Sequence, residues 1–131
     1  TLSANALALA AMRATLEHVM TPAAYRHMER LAGLLAAGLQ ETITARKLPW
    51  HVVRVGARVE FVCAPGPLRN GTQAEAAHAP ALEQAIHLAL LNRGCLIAPF
   101  HNMMLACPAT TETQVARLLD AFAAVTDALV A

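Results

Sequence analysis

The sequence is poor in charge, in aromatic side chains and in long apolar runs, and each shortage excludes a class of protein. Charged residues make up 15% and aromatic residues 4% of the 131 residues. The net charge of +1, with no block of like charge, excludes an electrostatic footprint for nucleic acid. The longest wholly apolar run, from Ala6 to Met12, is far shorter than the ~18 residues that a membrane span needs. We therefore expect neither nucleic acid nor membrane as a partner.

The cysteines and histidines also lack the spacing of metal sites and of disulfide frameworks. Cys63, Cys95 and Cys107 are odd in number and form no Cys-x-x-Cys pair. The six histidines are scattered, and no two of them stand in a His-Glu-x-x-His arrangement. The sequence therefore predicts no metal site and three buried or half-buried thiols in a reducing cytosol. It also lacks a phosphate-binding glycine loop and a nucleophile elbow, so no self-contained active site is expected.

The apolar content is high for a chain of this size. The hydrophobic set is 56% of the residues and the mean hydropathy is +0.43, much of it from helix-favouring alanine. We expect that part of this apolar surface is covered by another domain or chain. No methionine precedes Thr1, and the chain opens directly into a helical pattern. These features lead us to expect a fragment of a longer protein.

Apolar residues recur with helical spacing in four segments. These segments are 5–20, 22–45, 80–92 and 111–129. Thr21 followed by Pro22 predicts an N-cap and a first helical residue, and Thr111 with Gln114 predicts a capping box. Gly94 stands where a residue in the left-handed conformation ends a helix.

Strand-like segments lie between these helices. The first pair is 52–55 and 59–63, with Arg58 and Glu60 alternating on a solvated face. A loop rich in proline, glycine and asparagine follows, over residues 65–78. The second pair, 95–98 and 103–107, predicts a hairpin. The fold class is therefore α+β, a single domain with a small, mainly antiparallel sheet packed on one face by helices.

Two segments carry a resemblance to a known family. The first is Thr1-Leu2-Ser3-Ala4-Asn5, and the second runs from Asn92-Arg93-Gly94 through Ala98-Pro99 to Glu112. Together they resemble the C-terminal part of class III aminotransferases, most closely the subgroup of glutamate-1-semialdehyde aminomutase. That family has a Gly-Thr-x-x-x-Asn-Pro stretch after its catalytic lysine and a Gly-hydrophobic-hydrophobic-x-Pro strand near its end. The resemblance implies that residues 1–131 form the small domain of a fold-type I enzyme, without its large catalytic domain.

The resemblance also implies a role for Thr1 in cofactor binding. Thr1 matches the family threonine that binds the phosphate of pyridoxal 5'-phosphate across a dimer interface, where a hydroxyl and an amide can donate to it. Asn5 matches the family asparagine, whereas Ala6 replaces the usual proline and relaxes the turn without removing a functional group. In the chain alone, Thr1 has the simpler interpretation of a frayed terminus.

The hairpin departs from many relatives at the residue that recognises a carboxylate. Those relatives place an arginine immediately before the strand's proline, but here Ala98 precedes Pro99, and alanine cannot form a bidentate clamp. Phe100, His101 and Asn102 follow, and they are the candidates for contact with substrate. The alternative for His101 is a turn residue that bonds only local backbone.

These implications define two functional hypotheses. In the first, the chain is the C-terminal lobe of a cytoplasmic, homodimeric aminotransferase or aminomutase that uses pyridoxal 5'-phosphate. The lobe would wall the substrate cleft for a small amino or keto compound, with its own N-terminal domain and a second identical subunit as partners. The lobe alone would be inactive, because its single lysine, Lys47, lies in no cofactor motif. In the second, the chain is a free-standing, non-catalytic regulatory or protein-interaction module.

Overall fold

The computed structural model describes residues 5–98 and 102–131. These ranges contain five α-helices and three strands, in an alternation of helical and extended segments that agrees with the predicted α+β class. The elements are α1 (Ala6–Ala14), α2 (Pro22–Ala45), β1 (His51–Val55), β2 (Arg58–Val62), α3 (Gly71–Ala76), α4 (Pro80–Leu91), β3 (Met103–Leu105) and α5 (Glu112–Val130). No helix in these ranges is long and apolar enough to cross a bilayer.

The helix boundaries follow the capping residues of the sequence. The Thr21 hydroxyl accepts a hydrogen bond from the Ala24 N–H at the start of α2. The reciprocal capping box of Thr111 and Gln114 opens α5, as predicted. After α4 the chain turns at Gly94, whose φ of +75° lies in the left-handed region that glycine adopts without a Cβ penalty. Local sequence therefore sets these boundaries.

The sheet has three antiparallel strands in the order β1-β2-β3. Val53 of β1 pairs with Glu60 of β2, and Val59 of β2 pairs with Met104 of β3. A tight turn at Gly56, with φ of +56°, joins β1 to β2. The predicted mainly antiparallel sheet is thus confirmed, with β2 as its central strand.

The core lies between one face of the sheet and helices α2, α4 and α5. Val59 and Phe61 point into it from β2, and the Phe61 ring lies 4.9 Å from the ring of Phe122 on α5, centre to centre. Leu39 of α2 and Ile86 of α4 are also completely buried. Burial of these apolar side chains is the main stabilising contribution to the lobe.

The second hairpin is smaller than the sequence predicts. Residues 95–97 form no strand, and the predicted pairing is reduced to one bridge between Ala98 and Met103. β3 ends at Leu105 and not at Cys107. Cys95 and Ile97 are nevertheless buried in the core. Their apolar character therefore reflects burial against the helices, because hydrophobicity does not by itself specify strand pairing.

Three further expectations need correction. The loop 65–78 contains a short helix, α3, because the Asn70 side chain accepts from the Gln73 N–H as an N-cap. Cys107 is exposed, since it lies in the surface turn between β3 and α5. The Glu60 side chain is only 22% exposed and pairs with Arg58 at 2.7 Å, because the segment carrying α3 covers that face of β2.

The first helix, predicted over 5–20, consists of two parts. Asn5 caps α1 by accepting from the Ala8 N–H at 2.9 Å. A π-helical turn, Thr15–Val19, continues α1 and ends at Met20. Neither part contains a buried residue. This first segment is therefore an amphipathic extension that the rest of the described chain does not cover.

Candidate functional site

The candidate residues from the sequence divide between described and undescribed positions. Thr1, Phe100 and His101 lie outside the described residues, so their roles stay predictions. Asn102 is described, as are Ala98 and Met103 on either side of the turn. The structure therefore describes the residues that flank the candidate positions 100 and 101.

The two flanks of the turn are held together by backbone pairing. The Ala98 N–H donates to the Met103 carbonyl at 3.1 Å. Asn102 has a φ of +47°, a conformation that asparagine tolerates better than most residues. Its side chain is buried, with 4% of the residue exposed. The structure thus places the Asn102 amide inside the lobe, among the residues of a small cavity, while the backbone closes the turn.

A larger open groove lies beside this turn. Its volume is about 730 Å³. One wall consists of residues 95–98 and 103–106, which are the flanks of the turn, and α2 forms the floor with Leu31 and Leu35. The beginning of α5 provides the opposite wall with Val115 and Leu118. The two ends of the second family-like segment, 92–98 and 103–112, therefore meet in one concave surface.

A few polar groups stand along this mostly apolar groove. Thr110, Gln114 and Arg117 line it on the α5 side. The Thr110 carbonyl oxygen is 2.8 Å from His27 Nε2. The Thr110 hydroxyl accepts a hydrogen bond from the Cys107 N–H at 2.9 Å. These bonds fix the position of Thr110 at the groove. Apolar walls with a small number of placed polar groups are typical of small-molecule sites.

Two thiols near these surfaces have perturbed acidities in opposite directions. The Thr110 hydroxyl and neighbouring backbone N–H groups lower the pKa of the exposed Cys107 thiol. Burial, with a smaller contribution from the charge of Glu83, raises the pKa of Cys63 to about 12. Cys107 is therefore the more reactive nucleophile of the two, because the thiolate is the reacting form.

Arg117 was not singled out by the sequence. It lies on the exposed side of α5, outside the apolar stripe, and its guanidinium sits directly over Gly94. A Cβ at position 94 would collide with that guanidinium. The close approach depends on the packing of α5 against the end of α4, so no local sequence signal could have identified it.

Among the described residues that line the groove, no lysine could anchor a cofactor covalently. Lys47 is exposed, with a φ of +54°, in the turn after α2, and it lines neither cavity. Residues 5–98 and 102–131 also contain no group of three histidine, cysteine or carboxylate side chains placed to hold a metal ion. The described part of the chain can therefore form a wall of a site but does not supply a complete catalytic centre.

The lobe has exposed apolar residues in two places. Along α1 and the π-helical turn, Leu9, Met12, Leu16 and Val19 are between 46% and 62% exposed. At the groove rim, Leu96 and Leu105 are 76% and 64% exposed. Exposed apolar side chains in this number are typical of surfaces that another domain or chain covers.

Comparison with known proteins gives relatives that are named glutamate-1-semialdehyde 2,1-aminomutase. No family model matches the chain. It is 39% identical, over 99 residues, to the glutamate-1-semialdehyde 2,1-aminomutase of Anaeromyxobacter sp. strain Fw109-5, a match that covers 76% of the chain and 23% of that relative. It is 36% identical over 124 residues to an enzyme of the same name from Thermus thermophilus, covering 92% of the chain and 29% of that relative. The chain thus spans about a quarter of the length of these relatives.

A solved structure extends the similarity to the fold. The chain matches a glutamate-1-semialdehyde aminomutase from Pseudomonas aeruginosa PAO1 with a TM-score of 0.94 and 48% identity. The match covers 96% of this chain and 28% of that one. A lysine-to-alanine form of the Pseudomonas enzyme was solved in complex with PMP, and it matches with a TM-score of 0.91 and 49% identity.

Proposed function

We propose that this chain, which belongs to the class III aminotransferases as their C-terminal lobe, walls the substrate cleft of an aminotransferase or aminomutase that uses pyridoxal 5'-phosphate. The observation that carries the proposal is the similarity to the Pseudomonas aminomutase, at 48% identity over 96% of this chain. Because the match covers only 28% of that enzyme, the rest of the catalytic machinery would belong to a large domain outside residues 1–131.

The described residues do not by themselves fit the cofactor. Pyridoxal 5'-phosphate supplies carbanion stabilisation when it is bound, and the protein supplies its position and electrostatics. Covalent anchoring of this cofactor as a Schiff base needs a lysine in the cleft, and Lys47 is exposed in a turn away from both cavities. We therefore assign no chemical step to this lobe, and its part is to bind, orient and exclude water.

In this proposal, two partners cover the exposed apolar surface of the lobe. The stripe on α1 would pack on the lobe's own large domain and on a second identical subunit of a homodimer. The groove beside the Ala98–Met103 bridge would face the cleft, because Ala98 and Met103, which flank the candidate substrate residues in the sequence, line it. Thr1 would reach the cofactor phosphate of the neighbouring subunit. The free cysteines are compatible with a cytoplasmic enzyme.

The first experiment compares the chain alone with the longer protein that would contain it. We expect the longer protein to bind pyridoxal 5'-phosphate and to transfer amino groups, whereas the chain alone forms no stoichiometric adduct that borohydride traps at Lys47. A trapped adduct at Lys47 would contradict the lobe assignment. An open reading frame that begins near Thr1 would also contradict it and would favour a regulatory or interaction module.

The second experiment separates cofactor binding from substrate recognition in the longer protein. His101→Ala should raise KM or change substrate preference and leave the cofactor spectrum unchanged. Loss of one hydrogen bond to a charged group costs about 1.5–3 kcal/mol, roughly tenfold to over a hundredfold in kcat/KM. Thr1→Ala should do the reverse, weakening cofactor retention with little change in substrate preference. A kinetically silent His101→Ala across several amino donors would mean that His101 is only a turn residue.

A further inference from the structure

A second cavity lies along β2, at the border of the core. Its volume is about 200 Å³, and β2 contributes Glu60, Phe61 and Val62 to its lining. Val59 and Phe61 of the same strand are buried in the core, and side chains alternate along a strand, so Glu60 and Val62 project to the opposite face. The segment that carries α3 and the start of α4 covers this face. The cavity is therefore a partly open pocket between β2 and that segment, and it shares no lining residue with the larger groove.

The side-chain oxygen of Asn102 is buried in this cavity without a donor. Asn102 is only 4% exposed, and its Oδ1 receives no hydrogen bond from any residue in the described ranges. A buried acceptor in this state is costly, because folding removes its water without providing a replacement. A group that brings N–H donors into the cavity would remove this cost.

The other polar groups of the cavity are mainly acceptors as well. The Glu83 side chain is 14% exposed, and its Oε1 accepts from the Ala79 N–H at 3.1 Å and lies 3.7 Å from His78 Nδ1. No described residue donates to its second oxygen. Glu60 also lines the cavity; its Oε2 accepts from Arg58, and no described residue donates to its Oε1. The cavity thus combines two carboxylates and an amide oxygen with few donors.

Cys63, which follows β2, is half-buried outside this cavity. Burial raises the pKa of Cys63, and nearby Glu83 adds to that direction. A cation in the cavity would be attracted by the carboxylates of Glu60 and Glu83.

We propose that this cavity binds a small primary ammonium group, with Asn102, Glu83 and Glu60 accepting its N–H donors. An ammonium head carries three donors, which matches three acceptors of this kind. A divalent metal fits less well, because the described residues contain no cluster of three metal-binding side chains. One water occupies about 30 Å³ in the liquid, so a cavity of about 200 Å³ admits a short alkylammonium ion and a few waters. This site is independent of the proposed role of the lobe.

The test is a titration of the isotope-labelled chain with methylammonium chloride, followed by NMR. The control ion is tetramethylammonium, which has the same charge but no N–H donors. We expect saturable shifts at Glu60, Glu83 and the Asn102 side-chain amide with methylammonium, and no saturable shift with tetramethylammonium. Equal shifts with both ions, or none with either, would overturn the proposal. The cavity would then contain only water.

Two variants locate the binding, and one serves as a matched control. Glu83→Gln removes one charge from the cavity and should weaken methylammonium binding about tenfold or more, as loss of a charge-assisted hydrogen bond does. Asn102→Gly keeps the left-handed backbone and removes the amide, and it should also weaken binding. Glu41→Gln makes the same charge change on the exposed side of α2 and should leave binding unchanged. The site is wrong if Glu83→Gln and Glu41→Gln have the same effect.

Discussion

The first two helices have similar sequence patterns but opposite surroundings. Both α1 and α2 begin at a side-chain N-cap, and both carry apolar residues at helical spacing. In α2 the apolar face is buried, with residues between 0% and 6% exposed. These are Met28, Leu31, Ala32, Leu35, Leu39 and Ile43. In α1 no residue is buried. An amphipathic pattern therefore predicts that a helix has a face to bury, but it does not say what covers that face.

The difference has an energetic meaning. Apolar burial contributes roughly 25 cal/mol per Å² of surface removed from water. α2 obtains this contribution from the sheet and from α5 within the described chain, whereas α1 obtains almost none of it there. The stability of the lobe should therefore respond to changes in α2 and hardly at all to the same changes in α1.

The largest expected effect comes from deleting a core side chain. Leu39→Ala should lower the free energy of unfolding by about 2–5 kcal/mol, because Leu39 is completely buried and its removal leaves a cavity. Leu9→Ala, the matched change on α1 at a half-exposed residue, should stay within about 0.5 kcal/mol. Urea unfolding at low protein concentration measures both. A large effect of Leu9→Ala would mean that α1 packs on the lobe after all.

Smaller changes in stability, of opposite sign, are expected from glycine-to-alanine substitutions on two faces of α2. A Cβ at position 38 would meet Leu119 Cδ1 of α5 at 2.6 Å, so Gly38→Ala should destabilise the lobe by about 1–3 kcal/mol. No atom lies within 4 Å of a Cβ at position 33. Gly33→Ala should therefore stabilise the lobe by about 0.4–1 kcal/mol in urea unfolding, because alanine restricts the unfolded chain and favours helix. Equal effects at both sites would show that α5 does not approach α2 at Gly38.

The smallest effect concerns the two N-caps. Thr21→Ala removes the hydrogen bond to the Ala24 N–H and should lower the free energy of unfolding by about 1 kcal/mol. Asn5→Ala removes the corresponding cap of α1. It should reduce helicity at Ala6–Ala14, seen by hydrogen exchange, without a measurable change in global stability. A similar global loss from both variants would indicate that α1 and α2 unfold as one unit.

The sequence predicted the helices better than the sheet and the site. Thr111 and Gln114, which cap α5, are three residues apart, so the local sequence is enough to predict where this helix begins. The prediction of a strand over 95–98 was wrong, because the apolar residues of this segment are buried against helices that are distant in sequence. No local pattern indicates that Asn102 and Glu83 line the same small cavity. The cofactor role of Thr1 and the substrate roles of Phe100, His101 and Asn102 stay predictions.

Local physical chemistry thus determined from the sequence alone where α2, α4 and α5 begin and end to within a residue, which side of each is apolar, and that the fold is α+β. Only the tertiary structure decided which apolar side is covered, because coverage depends on residues far apart along the chain. It also brought Glu60, Glu83 and Asn102 to one cavity from β2, from α4 and from the turn before β3. Their spacing in the sequence carries no periodic signal, and their proximity results from the packing of the sheet against the segment that covers it.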